Sequence, residues 1–190
     1  MSPQRNDLFE RAARGKKTPR PPIWLMRQAG RTDPQYNALR ERDGRPLEAL
    51  FSDSDAAAEV SLLPKRLGVD AIIYFQDILT PLTPAGCPFI FRPGPITGAP
   101  IRDASDVDKI HVFDVEEELP FIGETFKKVR KSLDGELPVL GFAGAPVTLA
   151  VFMIEGKSFG DSAENALSFF KNQPEATRKL NVVWPDITID

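Results

Sequence analysis

Three short apolar runs alternate with helical stretches along this chain, and that alternation limits its fold more than any other feature. The runs are Ile23–Met26, "VDAIIYFQDI" (69–78) and "LPVLGFAG" (137–144). Their length and their β-branched and aromatic content predict buried strands. After the first come "RPLEALF", a short helix or turn, and "SDAAAEVSLLPKRLG", a helix whose last turn Pro64 disturbs. After the second, Phe121, Ile122, Phe126, Val129 and Leu133 of "EEELPFIGETFKKVRKSL" fall at helical spacing. Three further helices are expected after the third, in "APVTLAVFMIEG", "DSAENALSFFKNQ" and "PEATRKLNVV". Strand and helix in alternation imply a parallel sheet with right-handed crossovers.

Two segments stand outside this rhythm. Ser2 and Pro3 read as the N-cap and first position of a leading helix that ends at Gly15. Residues 78–104 contain six prolines, which exclude a regular helix, and "FIFRPG" within them reads as a small hairpin. At 190 residues and 42% hydrophobic, the chain lies in the single-domain range.

Composition narrows the function classes. The net charge is −3, yet residues 1–45 carry 11 Lys/Arg against 5 Asp/Glu. No basic stripe is interleaved with stacking aromatics, so this front end reads as a solvated, arginine-rich face and nucleic acid is not expected. One cysteine, Cys87, excludes an intramolecular disulfide, and one histidine, His111, leaves too few ligands for a Cys/His zinc site. Both read as structural residues. The sequence has no apolar run long enough to span a membrane and no signal-peptide core, so a cytoplasmic protein is expected.

In parallel α/β sheets, open or closed, ligands sit beyond the carboxyl ends of the strands. The first run leads into "MRQAGR", where Arg27 and Arg31 bracket Gln28, Ala29 and Gly30. Arginine binds carboxylates through two parallel hydrogen bonds, so the pair suits a polycarboxylate; the competing reading is two surface ion pairs. The second run ends at Asp77, which can cap the next turn or accept N–H donors from a ligand. The third ends at Gly144-Ala145-Pro146. "GFAGAPVTLA" lacks the spacing of a phosphate loop, so Gly141 and Gly144 read as backbone room beside a cavity.

Taken together and in order, "MRQAGR", "AIIYFQDIL", "GFAGAPVTLA" and "FMIEGKS" resemble the uroporphyrinogen decarboxylase family. The resemblance implies a (β/α)8 TIM barrel, of which this α/β chain covers roughly the first half, with residues 1–190 the N-terminal part of a single barrel domain. It implies a cytoplasmic homodimer that uses no cofactor or metal. The implied reaction removes the carboxyl groups of the four acetate side chains of uroporphyrinogen III, giving coproporphyrinogen III. By resemblance, Arg27 and Arg31 bind acetate or propionate groups of the tetrapyrrole, with Arg27 a candidate for the leaving carboxylate. Gln28, Ala29 and Gly30 line the same loop, and Asp77 accepts the four central pyrrole N–H donors.

The chain departs from the family pattern at several points. Phe152 stands where the family has a substrate-facing tyrosine. Thr32-Asp33 replaces Tyr-Leu after the arginine loop, which implies a more polar cavity rim, and Pro185 falls where the family continues a helix. With the second half of the family's length absent, the 190-residue chain is expected to be inactive alone. Two alternatives remain open: a non-catalytic or degenerate porphyrin-binding fragment, and a corrinoid-linked methyltransferase of the same barrel superfamily.

Overall fold

A computed structural model of the chain describes residues 5–25, 30–160 and 162–182. In chain order the helices are α1 (Leu8–Ala13), α2 (Pro34–Asp43), α3 (Leu47–Ser52), α4 (Ser54–Leu62), α5 (Ala104–Val107), α6 (Val115–Glu118), α7 (Pro120–Leu133), α8 (Pro146–Glu155), α9 (Glu164–Asn172) and α10 (Pro174–Val182). The strands are β1 (Ile72–Ile73), β2 (Ile90–Phe91), β3 (Pro95–Ile96) and β4 (Val139–Leu140). The chain divides into two compact units, residues 1–76 with 121–142, and residues 77–120 with 143–190.

The parallel pairing expected from the sequence lies in the first unit. There β1 runs beside β4 with Ile72 opposite Val139 and Ile73 opposite Leu140. The Ile72 N–H donates to the Pro138 carbonyl at 2.9 Å, and the Tyr74 N–H to the Leu140 carbonyl at 3.0 Å. Ile72 is fully buried among Ala58, Val69, Val129, Leu133 and Leu137. Burial of such a side chain contributes about 1.5–3 kcal/mol, which fixes which face of β1 turns inward. A second cluster joins Tyr36, Leu39, Leu50 and Val60, against which Phe75 packs.

Three expectations in this unit need correction. The helix through Leu8 and Ala12 starts at Leu8 behind Asp7, with residues 5–7 non-helical; the expected start at Ser2 and Pro3 lies outside the described residues. Ile23–Leu25 form no strand, because both backbone groups of Ile23 are engaged by one residue, Asp70; the side chains of Ile23 and Leu25 are half-exposed. Met26 lies outside the described residues. Helix α2 was not expected, although Asp33 caps it, Pro34 opens it and Gly44 closes it with φ +67°.

Elsewhere the local rules hold. Asp53 caps α4, and a 3-10 turn from Leu63 with Pro64 near its start replaces the last helical turn before Gly68. Part of the basic front end is ion-paired: Arg5 with Glu10, Arg20 with Asp70, Arg42 with Glu59, and Arg45 with Asp43 and Asp53. The helix expected across 116–133 breaks at Leu119, because Pro120 lacks an N–H and disfavours helical backbone in the residue before it.

In the second unit, β2 and β3 form the expected hairpin, with Ile90 opposite Ile96 and Phe91 opposite Pro95. The proline-rich stretch before it makes only a 3-10 turn, Thr80–Leu82. Helices α8, α9 and α10 pack through Leu149, Met153, Ile154, Phe169 and Leu180 onto Leu82, Cys87 and Ile101. Cys87 is the packed residue expected, and burial pushes its thiol up to about 11. His111 is exposed, with Nδ1 3.1 Å from the Lys109 carbonyl.

Candidate active site

The arginine loop belongs to the first unit, and its two ends are held by buried aspartates. Upstream, the Asp70 carboxylate is fully buried and accepts two bonds from the Arg20 guanidinium, at 2.6 and 2.8 Å. It also accepts the Asn6 side-chain amide at 2.7 Å and the Ile23 N–H at 2.6 Å, while the Asp70 N–H donates back to the Ile23 carbonyl at 2.8 Å. The Arg20 guanidinium holds the Asp70 carboxyl well below the usual carboxylate range against the opposing push of burial.

Downstream, Asp33 is 6% exposed, so it is not the polar rim residue expected from sequence. Its N–H donates to the Gly30 carbonyl at 2.8 Å, and its Oδ1 accepts the Gln35 N–H at 2.9 Å as the cap of α2. Arg66 reaches it bidentately, at 2.7 Å to Oδ1 and 3.1 Å to Oδ2. Asn37, one turn into α2, donates to the Arg31 carbonyl at 2.8 Å. The Arg31 side chain is exposed and has no carboxylate partner among the described residues, unlike Arg20, Arg42 and Arg45. Arg27, Gln28 and Ala29 lie outside the described residues.

Asp77 and Phe152 fall in the second unit. Half-buried Asp77 accepts the Leu79 N–H on Oδ1 at 2.7 Å, and its carbonyl accepts the Thr80 N–H at 3.3 Å. The turn-capping bond foreseen for it is therefore made. Burial raises its carboxyl above the ordinary value, and the Leu79 N–H opposes that rise. Phe152 stacks edge-on against Phe89 at 6.4 Å and Phe159 at 5.0 Å between ring centroids. Phe152, on α8, thus belongs to an aromatic cluster completed by Phe89 and Phe159 from outside that helix.

Gly144, expected as backbone room beside a cavity, is packed against Leu149 instead, and Glu155 has a role that sequence reasoning missed. A Cβ on Gly144 would lie 2.5 Å from Leu149 Cδ2, so glycine here lets the loop approach the first turn of α8. Glu155, at the end of α8, accepts the Asn165 side-chain amide at 2.8 Å and the Ala166 N–H at 2.9 Å. It thereby supplies the cap that α9 lacks locally. Burial pushes the Glu155 carboxyl up, but the Ala166 and Asn165 donors together outweigh it and the net shift is downward. An acidic residue facing the first turn of a helix distant in sequence leaves no local pattern to read.

Among the described residues no group of three or more His, Cys, Asp or Glu side chains could hold a metal ion, and no helix is long and apolar enough to cross a membrane.

Comparison with known proteins agrees with the motif order. The sequence matches the family described as uroporphyrinogen decarboxylase (URO-D) over residues 4–190. A uroporphyrinogen decarboxylase from Geobacter metallireducens is 45% identical over 159 residues, covering 83% of this chain and 46% of that protein. One from Sorangium cellulosum is 42% identical over 158 residues, covering 82% and 45%. The chain thus spans about half the length of the curated relatives it matches. Among solved structures, a methyltransferase from Methanosarcina mazei superposes with a TM-score of 0.69 at 16% identity, covering 94% of this chain and 51% of that one. At that identity it speaks for the fold alone. The fold class is that of a TIM barrel, of which the chain covers about half. The chain belongs to the uroporphyrinogen decarboxylase family.

Proposed function

We propose that this chain carries the N-terminal share of a site that decarboxylates the four acetate side chains of uroporphyrinogen III, yielding coproporphyrinogen III. The observation that carries this reading is the family match over residues 4–190, which includes both "MRQAGR" and Asp77.

The chemistry fits the residue types. Protonation of a pyrrole ring carbon creates a cation into which the electrons of the acetate C–C bond can flow. Carbon dioxide leaves, a second proton converts the remaining exocyclic methylene into a methyl group, and the first proton departs from the ring carbon to restore the pyrrole, so each turn exchanges one proton for one carbon dioxide. Asp77 accepts the central N–H donors and stabilises the ring cation. Burial already disfavours its charged form, so each N–H that the substrate brings favours the anion in return. Arg27 and Arg31 bind acetate or propionate groups bidentately, and the exposed Arg31 guanidinium supports this use over a surface ion pair. Gln28, Ala29 and Gly30 line the same loop, and Phe152 offers the ring an apolar wall in place of a hydroxyl. The reaction so written calls for no cofactor, metal, membrane or nucleic acid. Residues 1–190 are read as the N-terminal part of one barrel domain, and the whole enzyme as a cytoplasmic homodimer.

The test is turnover. The chain is extended to the length of its relatives with the C-terminal part of the Geobacter metallireducens protein and given freshly reduced uroporphyrinogen III. Coproporphyrinogen III should accumulate chromatographically, through partly decarboxylated intermediates. Unaltered substrate over a folded, extended chain contradicts the proposal.

A further inference from the structure

Within the second unit, Gly144 touches both the turn that carries Asp77 and the helix that carries Phe152. A Cβ built on it would lie 2.5 Å from Leu149 Cδ2, 2.9 Å from Leu149 Cγ and 3.4 Å from Ile78 Cβ. The added atom would overlap Leu149 while already in van der Waals contact with Ile78. Ile78 is the chain neighbour of Asp77, and Leu149 stands about one turn before Phe152 on α8. We propose that Gly144 is a positioning residue: lacking a side chain, it lets the Asp77 turn seat against the first turn of α8, and so fixes where the Asp77 carboxylate meets the tetrapyrrole. This inference rests on the proposed role of Asp77 as acceptor of the pyrrole N–H donors.

Neither neighbour of Gly144 can yield without moving something else. Leu149 is 4% exposed in a core shared with Leu79, Leu82 and Met153. Its N–H donates to the carbonyl of Ala145, the residue after Gly144, at 3.0 Å, so α8 starts at a set distance from the glycine. Ile78 packs on the same core and is locked into a turn, because the Leu79 N–H donates to Asp77 Oδ1 at 2.7 Å and the Thr80 N–H to the Asp77 carbonyl at 3.3 Å. A close-packed interior transmits displacement instead of absorbing it, so a push on Ile78 reaches the Asp77 carboxylate. The backbone itself does not require glycine here, since Gly144 is not among the glycines with positive φ. The close approach is what calls for it. A reacting group misplaced by about 1 Å can lose on the order of 100-fold in rate, so a small push suffices.

The test is a set of paired variants in the extended chain, with kcat expressed per folded protein. Gly144→Ala should lower kcat roughly tenfold and leave KM within about twofold. On a Leu149→Ala background the same substitution should cost no more than about twofold, because the overlapping atoms are gone. On an Asp77→Asn background it should also cost no more than about twofold, because the charge to be placed is absent. A glycine needed only for stability would act alike on all three. A folded Gly144→Ala chain with wild-type kcat overturns the proposal, as does a full tenfold loss on either background. If Gly144→Ala does not fold, it is introduced into Leu149→Val, which lacks the Cδ2 atom and gives a milder wedge; kcat equal to that parent then overturns the proposal. Should the wild-type extended chain form no coproporphyrinogen, the proposed function fails, and amide exchange alone decides the positioning. Gly144→Ala should then speed exchange of the Leu79 amide, bonded to Asp77, roughly tenfold more than that of Cys87, bonded to Leu82 in the same core. Equal acceleration of the two, or none, overturns it.

Discussion

The carboxylate of Glu155, the last residue of α8, accepts the N–H of Ala166, the third residue of α9, at 2.9 Å. This contact closes the positive end of α9 from another helix, with the carboxylate itself buried. Replacing Glu155 with alanine removes a charge-assisted bond and leaves the helix end uncapped. The expected cost is about 1.5–3 kcal/mol, read as a lower urea midpoint with unchanged slope. The pH dependence follows from the lowered carboxyl. Its contribution is fully present above the ordinary value of 4.5 and is lost as pH falls through the lower folded value. The alanine variant should therefore lose stability less steeply than wild type below pH 4.5.

How much of this was legible beforehand depended on the range of the interaction. The hairpin around Arg92 and Pro93, the extended runs that become β1 and β4 and the helices after Pro146 were all signalled by short-range pattern. So was the motif order that identified the family. Helix α2 is marked by Asp33, Pro34 and Gly44 but buries only Tyr36 and Leu39, so it lacks the apolar periodicity that signals the other helices. The strand at Ile23 failed for a different reason: the Asp70 side chain takes the Ile23 N–H, which a neighbouring strand's carbonyl would have accepted. Contacts such as Arg66 to Asp33 and Glu155 to Ala166 join distant positions, and nothing in either local sequence announces the other.

Gly144 should not tolerate alanine. The added Cβ would meet Leu149, itself only 4% exposed, at 2.5 and 2.9 Å. An overpacking cost of about 1–3 kcal/mol is expected for Gly144→Ala. Combining it with Leu149→Ala removes the clash, so the double variant should be more stable than the two separate losses added together. Strict additivity in chemical denaturation would show that Gly144 is not held by this contact.

The arginine pair can be tested by chemistry that preserves its charge. Lysine cannot reproduce the planar fork, so Arg27→Lys and Arg31→Lys in the extended chain should each weaken substrate binding roughly tenfold. Titration of each variant with uroporphyrin measures this directly. Affinity unchanged in both would return the pair to the role of surface cations.

The 190-residue chain by itself should self-associate and form no coproporphyrinogen. Leu167 is 66% exposed and Val147 56%, and Ile23 and Leu25 are each about half-exposed. Exposed apolar residues of this number, beside strands with unpaired edges, favour association over a well-behaved monomer. Sedimentation velocity should show a concentration-dependent distribution. A monodisperse monomer that turns over uroporphyrinogen would contradict this expectation.

The role of Asp77 is best tested by steady-state kinetics on the extended chain carrying Asp77→Asn. Asparagine keeps the shape of the side chain and its bond to the Leu79 N–H, but it removes the negative charge. If the charge stabilises the protonated pyrrole, kcat should fall at least about 100-fold while KM changes only a few-fold. Loss of kcat and binding in equal measure, or an unchanged kcat, would assign Asp77 to the turn alone and contradict the proposed reaction at this site.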